Sequence, residues 1–272
     1  MSIPVSIEIV PPSSPDKLPA YQEMLAGLPL LHPTTVAVTL GAGQTPTNKA
    51  ASMQTLDVIE NQLHLPAVAH LPGLYETKAS VQQMVQQLKA MRVSRVMALR
   101  GALQGNQPVG DFLHALDLIE YLQQLGGFDI SVAGYPAKHP EAPSLAVDLD
   151  YLKLKVTAGA QQVISQIFFA NDVFYRFVQQ ARTIGIQVPI IAGVLPITSL
   201  HLMKNLTQNL HIPITPAVQA IIDQYADDPV AFRQAGLAFT RHQIEDLKQH
   251  EVDGIHIFSM NDLAATRTVL GL

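Results

Sequence analysis

The stretch Ser6-Ile7-Glu8-Ile9-Val10-Pro11-Pro12 is a short apolar run in which one acidic side chain stands between two isoleucines. Side chains of a β-strand alternate between the two faces of a sheet, so Ile7 and Ile9 share one face and Glu8 lies on the other. The two prolines end the run, because proline has no N–H to donate to a neighbouring strand. The stretch is therefore typical of a buried strand that carries one inward carboxylate.

Similar apolar, β-branched runs recur along the chain, and each is followed by a segment with helical spacing. Val81, Met84, Val85 and Leu88, for example, share one helical face. Alternation of strand and helix demands a parallel sheet, and eight such units favour closure into a single (β/α)8 TIM barrel. We expect one catalytic domain over residues 1–272, with extra helices between the seventh and eighth strands. The predicted strands are residues 5–10, 36–40, 66–70, 95–100, 128–133, 162–167, 188–192 and 254–258.

The composition argues against several classes of protein. Apolar residues make up 48% of the chain and charged residues 14%, which is typical of a globular enzyme and not of a disordered chain. The net charge of -5, without a Lys/Arg-rich run, predicts no nucleic-acid partner, and no apolar stretch is long enough to span a membrane. The chain has no cysteine and no secretory leader pattern, so we expect a cytoplasmic enzyme.

The sequence does not support three familiar kinds of site motif. Gly41-Ala42-Gly43-Gln44-Thr45-Pro46 begins like a dinucleotide-binding loop, but Pro46 stands where the third glycine is required, so a tight glycine turn is the better interpretation. The ten histidines form no HExxH pattern, and without cysteine we predict no metal site. No GxSxG motif marks a serine nucleophile.

Polar residues stand at the ends of several predicted strands. They are Glu8 in the first strand, Thr39 in the second, His70 in the third, Arg100 in the fourth and Gln166 in the sixth. Taken singly, each is more often a structural or capping residue, and Glu8 is also compatible with an ion pair to an inward arginine or with a place in solvent. Active sites of β/α barrels lie at the C-terminal ends of the strands. Because all five residues lie at such ends, together they predict a site there.

Several segments, in order, resemble the methylenetetrahydrofolate reductase family, and the likeness covers nearly the whole chain. The most specific part is the Tyr-Pro-x-x-His-Pro-Glu-Ala run after the fifth predicted strand. The resemblance implies a β/α barrel that binds FAD, takes a hydride from NADH or NADPH and reduces 5,10-methylenetetrahydrofolate, a small-molecule substrate, to 5-methyltetrahydrofolate. It also implies a homo-oligomer. The matching segments are Ser6–Pro12, Ala98-Leu99-Arg100-Gly101, Phe128–Pro136, His139-Pro140-Glu141-Ala142, Ser165-Gln166-Ile167-Phe168-Phe169 and Gly193-Val194-Leu195-Pro196.

Carried over residue by residue, the resemblance makes Glu8 the general acid that protonates the nitrogen leaving as the five-membered ring of the folate opens. We expect burial to raise the pKa of Glu8 toward the working pH. Gln166 would bind the folate, and Thr39 would meet both flavin and nicotinamide. Arg100, His139 and Lys155 would offer cationic or donor groups to the diphosphate of FAD, and Asp148 would accept from a sugar hydroxyl. The remaining FAD-binding positions are Ala42, His70, Arg100, Gly101, Ala115, Tyr135, His139, Ala142, Asp148 and Lys155.

Three positions depart from the family pattern on the folate side. Ala102 stands where the family has Asp, Asp262 where it has Arg, and Leu206 where an aromatic residue is expected. One interpretation is a working reductase that binds folate through other residues. The alternatives are a diverged flavin-binding barrel that acts as an electron-transfer or regulatory partner, and a reductase of another cyclic amine. The retained Glu8 and Gln166 favour a reductase, since a flavin carrier needs neither.

Overall fold

A computed structural model describes residues 3–12, 14–40, 46–103, 105, 107–210 and 212–272, apart from the side chains of residues 15, 46–48, 206 and 208–210. Its eight strands pair in parallel and in chain order to form a closed barrel. The predicted (β/α)8 fold class is confirmed. The strands are β1 (Val5–Ile9), β2 (Thr35–Val38), β3 (Ala67–Pro72), β4 (Arg95–Leu99), β5 (Asp129–Gly134), β6 (Gln162–Ser165), β7 (Ile190–Val194) and β8 (Ile255–Phe258).

Helices alternate with the strands. Three of them lie between β7 and β8 within the described part of the chain, so the prediction of extra helices there is confirmed. The helices are α1 (Leu18–Gly27), α2 (Pro46–Asp57), α3 (Lys78–Ala90), α4 (Ala115–Leu125), α5 (Leu145–Thr157), α6 (Asn171–Thr183), α7 (Leu200–Leu210), α8 (Pro216–Tyr225), α9 (Pro229–Gln249) and α10 (Leu263–Leu270).

Three apolar clusters hold these elements together. The largest lies between the sheet and the outer helices and includes Ile7 and Ile9, both fully buried, as the alternation in the first strand predicts. A second, smaller cluster fills the inside of the barrel around Met97. In the third, Phe232 of α9 joins residues that follow β6 and β7, so the extra helices pack beside the C-terminal ends of those two strands. That packing shapes one wall of the end where the polar residues gather.

The prediction for the seventh strand, residues 188–192, is wrong by two residues at each end: β7 begins at Ile190 and ends at Val194. Pro189 has no N–H to donate, although its carbonyl still accepts from the backbone N–H of Val163 at 2.9 Å. The second and sixth strands end earlier than predicted, and Thr39 and Gln166 therefore follow their strands. Both residues still lie at the C-terminal end of the barrel.

The barrel closes where β1 pairs with β8, placing Ser6 beside His256 and Glu8 beside Phe258. Beyond the paired residues, the side chain of Asn261 bonds the backbone N–H and C=O of Val10, at 2.9 and 2.7 Å. The hydroxyl of Ser259 donates to the carbonyl of Glu8 at 2.5 Å. These side-chain bonds continue the closure past the ends of the two strands.

We expect Gly193→Ala to destabilise the barrel, because a Cβ at this position would lie 2.1 Å from the carbonyl oxygen of Ser165. Forcing the two backbones apart should lower the free energy of unfolding by roughly 3 kcal/mol. Gly185→Ala is the control: its Cβ would meet no atom within 4 Å, and its φ of 93° limits the cost to backbone strain of about 1–2 kcal/mol. Chemical denaturation measures both variants, and an equal loss would contradict the expectation.

Candidate active site

Glu8 lies inside the barrel, where its carboxylate faces two imidazoles. Its Oε2 is 3.7 Å from Nε2 of His70 on β3 and 3.7 Å from Nε2 of His256 on β8. The Glu8 side chain is 14% exposed, and the two histidine side chains are 8% and 1% exposed. The carboxylate therefore points inward, and the partners it faces are two histidines instead of an arginine.

Opposing effects set the pKa of Glu8. Burial raises it, but His256 and His70 act in the other direction, and the net pKa lies below its ordinary value. The expectation of a raised pKa is therefore wrong for this arrangement, because it considered burial without the two imidazoles. Burial lowers the pKa of His70, with the Glu8 charge opposing that shift. Glu8 and His70 each shift the pKa of the other, so their protonation is coupled.

Ser6 orients His256 from below. Its Oγ lies 2.7 Å from Nδ1 of His256 and also donates to the carbonyl of Ile255 at 3.5 Å. Ser6 thereby fixes the orientation of the imidazole ring, with Nε2 toward the carboxylate of Glu8.

Three buried polar atoms at this end of the barrel have no hydrogen-bond partner among the described residues: Oγ1 of Thr39, Nε2 of His70 and Nε2 of His256. Buried polar atoms in folded proteins nearly always have a partner, and exceptions are common where a ligand or a reaction needs them. We call Glu8, Thr39, His70 and His256 the mouth cluster.

A second group of candidate residues lies in the segment after β5, residues 135–142, which we call the β5 loop. The ring of Tyr135 meets that of His139 edge-on, at 4.6 Å between centroids. Nδ1 of His139 accepts from the backbone N–H of Glu141 at 3.1 Å, so the neutral ring carries its hydrogen on Nε2. Burial lowers the pKa of His139, and Asp148 partly opposes this shift. The lowered pKa favours the neutral form.

Arg100, just after β4, is tied to the β5 loop. Its Nη1 and Nη2 lie 2.5 and 2.7 Å from the two carboxylate oxygens of Glu141, in a two-pronged ion pair. That hydrogen bond raises the pKa of Arg100, and its Nε also donates to the carbonyl of Gly101 at 3.3 Å. Gly101 has a φ of 91°, a conformation that favours glycine and lets the chain turn beside the guanidinium. A planar fork of this kind binds carboxylates and phosphates alike.

Asp148 and Lys155, both on α5, support the end of β5 from outside. Asp148 accepts from the backbone N–H of His139 at 2.9 Å, and Lys155 donates to the carbonyl of Ala133 at 2.9 Å. Burial lowers the pKa of Lys155 to about 8, with Asp148 opposing the shift. In this structure both charged groups hold backbone atoms of the candidate site in place.

Gln166 lies at the rim of a mostly apolar cavity of about 90 Å³ between the ends of β5 and β6. Its Oε1 accepts from the backbone N–H of Ile167 at 2.8 Å. The walls include Phe168, Phe169 and Ile212. The cavity can hold part of an apolar or aromatic group beside a polar amide.

The remaining predicted positions differ in what the structure describes. Ala115 is the first residue of α4, and Ala142 lies in the β5 loop, where its N–H donates to the carbonyl of His139. Ala102 is exposed after β4. Ala42 lies outside the described residues, and so does the side chain of Leu206.

Asp262 does not stand as an isolated negative charge. It accepts from the backbone N–H of Ala265 at 2.8 Å, which caps α10, and its carboxylate is 2.8 Å from Nη1 of Arg233 on α9. Burial raises the pKa of Asp262, but the bond from Arg233 and the cap outweigh it, so the net pKa is lowered. A cation from α9 is thus held at this end of the barrel.

Sequence reasoning missed His256, Asn261 and Lys138. His256 stands between Ile255 and Ile257 as Glu8 stands between two isoleucines, so the same alternation could have placed it inside the barrel. Asn261 bonds the backbone of Val10, and Lys138 donates to backbone carbonyls of the β5 loop. Neither carries such a signal, because these contacts form only after the chain has turned. Among the described residues, no group of three or more His, Asp or Glu could hold a metal ion, and no helix is long and apolar enough to cross a membrane.

The chain is similar to known reductases over almost its whole length. A 5,10-methylenetetrahydrofolate reductase from Pectobacterium carotovorum subsp. carotovorum is 29% identical over 261 residues, which cover 95% of this chain and 86% of that protein. A probable methylenetetrahydrofolate reductase (NADPH) from Caenorhabditis elegans is 32% identical over 282 residues, 97% of this chain and 41% of that protein.

A solved structure shares the fold. It is an uncharacterised protein from Clostridium thermocellum that binds two copies of 5-methyl-5,6,7,8-tetrahydrofolic acid, with a TM-score of 0.68, 13% identity and coverage of 99% of this chain and 93% of that one. The family model described as methylenetetrahydrofolate reductase matches residues 1–271. The chain therefore belongs to the methylenetetrahydrofolate reductase family.

Proposed function

We propose that this chain reduces 5,10-methylenetetrahydrofolate to 5-methyltetrahydrofolate, with FAD as the hydride carrier and NADH or NADPH as the donor. The observation that carries the proposal is the mouth cluster, in which a buried carboxylate faces two imidazoles at the end of the barrel where such enzymes react their substrates. Membership of the family and the folate bound by the Clostridium thermocellum protein support the choice of substrate.

The described residues fit FAD. Arg100 and His139 offer a guanidinium fork and an Nε2–H to a diphosphate, and Lys155 adds a half-buried cation nearby. At the barrel mouth, the unpartnered Oγ1 of Thr39 and Nε2 of His70 suit the polar edge of a flavin ring. When bound, the flavin carries a hydride from the nicotinamide to the folate.

Glu8 is the proposed proton donor to the nitrogen that leaves when the folate ring opens. A bound ring system over the mouth adds burial, which is the effect that already raises the pKa of this carboxyl. The pKa of Glu8 then rises, which favours the protonated form that a general acid needs, and His256, oriented by Ser6, lies beside it. The role proposed for this part of the chain is to hold one proton at the Glu8 carboxyl.

The folate side of the site combines an apolar wall with two polar groups. Gln166 and the phenylalanines beside it suit the pterin or benzoyl part of the substrate. Arg233, held by Asp262, is the proposed cation for the anionic glutamyl tail, in place of the arginine that the family pattern has at position 262. The departure at Asp262 is thus interpreted together with Arg233 as one rearranged ion pair.

Anaerobic mixing tests the proposed function. The protein should purify yellow, or it should bind added FAD. Addition of NADH or NADPH should then bleach the flavin, and methylenetetrahydrofolate should restore its colour. A colourless protein that does not bind FAD would sink the proposal. Reduction by the nicotinamide without reoxidation by folate would favour instead a diverged flavin-binding barrel, the reading that the missing carboxylate at Ala102 supports.

We expect Glu8→Gln to leave flavin reduction by the nicotinamide nearly intact and to slow hydride transfer to folate by about a hundred- to ten-thousand-fold. Glutamine keeps the size and hydrogen bonding of the side chain but cannot donate the proton. Stopped-flow absorbance of the two half-reactions measures the difference, with Glu23→Gln on the exposed face of α1 as the control. Equal slowing of both half-reactions would make Glu8 a structural or binding residue.

FAD binding should take up a proton above pH 8. Burial holds the pKa of Lys155 at about 8 instead of 10.5, and a nearby diphosphate favours the charged amine and raises that pKa. FAD affinity should therefore fall as the pH rises from about 8 toward 10.5, and Lys155→Met should weaken binding below pH 8 and remove this dependence.

Calorimetry at pH 8.5, in buffers of different ionisation enthalpy, measures the proton uptake. Lys153→Met is the control, because Lys153 is exposed on the same helix. Proton uptake that persists in Lys155→Met would show that another group is responsible.

A further inference from the structure

Lys138, in the β5 loop, has a backbone conformation that side chains rarely adopt. Its φ is 107°, whereas the other six non-glycine residues with positive φ in the described part of the chain lie between 47° and 64°. Those values fit the left-handed helical region, but 107° lies well outside it and suits glycine. A lysine at such a position is strained, and strain of this kind persists where surrounding contacts hold it.

The contacts that hold Lys138 are made by its own ammonium group. Nζ donates to the carbonyls of His139 at 3.0 Å, Pro140 at 3.3 Å and Ala142 at 2.5 Å. An ammonium has three N–H donors, and here each has a carbonyl of the same turn as its acceptor. The side chain therefore folds back over residues 139–142 and fixes three peptide groups of that turn, and no acidic side chain of the described residues takes part.

The peptides fixed in this way carry the groups that face the proposed diphosphate site. The N–H of Glu141 sets the tautomer of His139, and the carboxylate of Glu141 grips Arg100. If residues 139–142 turned differently, the imidazole and the guanidinium would both change position. Lys138 itself has its donors engaged with backbone carbonyls and is not required to touch the ligand.

We propose that Lys138 is a positioning residue for the FAD diphosphate, acting through His139 and the Glu141–Arg100 pair. The inference rests on the proposed function, because it assumes that the ligand of these groups is FAD. It also explains why the strained backbone is retained. A glycine would relieve the strain, but it has no ammonium group to hold the β5 loop in the conformation that binds FAD.

Two substitutions separate the ammonium from the backbone strain. Lys138→Gly relieves the strain and removes the ammonium, whereas Lys138→Met removes the ammonium and keeps the strain. Titration of apoprotein with FAD, followed by flavin fluorescence, should give dissociation constants about ten- to a hundred-fold higher for both variants, the scale of lost charged hydrogen bonds. Lys153→Met, which removes an exposed charge, should bind as the unmodified protein does.

A double-mutant cycle distinguishes positioning from general loosening. If Lys138 acts through His139, then Lys138→Gly should weaken FAD binding much less when His139 is already alanine. The thermal midpoint of the Lys138→Gly apoprotein should not fall, since the substitution relieves strain. Losses that multiply fully in the double variant, or a weaker affinity accompanied by a lower midpoint, would overturn the inference.

The outcomes for the two proposals are separable. Unmodified protein that binds FAD, together with Lys138 variants that bind it equally well, would overturn the role of Lys138 and leave the proposed function standing. Unmodified protein that binds no FAD would overturn both.

Discussion

The pairing of β1 with β8 is the constraint on which the rest of the molecule depends. An open sheet of eight strands would leave Glu8 and His256 on its two far edges, whereas closure brings Oε2 of Glu8 within 3.7 Å of Nε2 of His256. The bonds from Asn261 to Val10 and from Ser259 to Glu8 extend the closure to the end where the candidate site lies. Since side chains of every strand alternate, closure also determines which polar groups share the interior.

Much of this arrangement could be predicted from single strands. Alternation in the first strand placed Glu8 inside, and the rule that barrel sites lie at strand ends brought Thr39, His70, Arg100 and Gln166 to one end. The direction of the Glu8 pKa could not be predicted in the same way. It depends on the distance to two imidazoles on other strands, and no local pattern reports a distance across a barrel. The predicted start of β7 was wrong for a local reason, because Pro189 has no N–H to donate.

The β5 loop shows a second limit of local reasoning. A motif indicates which side chains gather there, but not which of them face a ligand and which hold the backbone. In the structure Asp148, Lys155 and Lys138 all bond main-chain atoms, at His139, Ala133 and residues 139–142. Such supports can be as necessary as the groups they position, because a binding geometry is only as good as the backbone beneath it.

The ion pair between Asp262 and Arg233 bears on how a family pattern should be read in one chain. Taken as a single position, Asp262 replaces a cation with an anion and argues against an anionic ligand. Taken with its neighbour, it caps α10 and holds a guanidinium from α9 at the same end of the barrel, so the net charge of the pair is zero and a cation is still present. An exposed ion pair adds little to stability, and a partly exposed guanidinium with several N–H donors can bind a second carboxylate. The charge requirement of a ligand is therefore met or missed by a neighbourhood of residues, and a departure at one position is informative only when its partners are known.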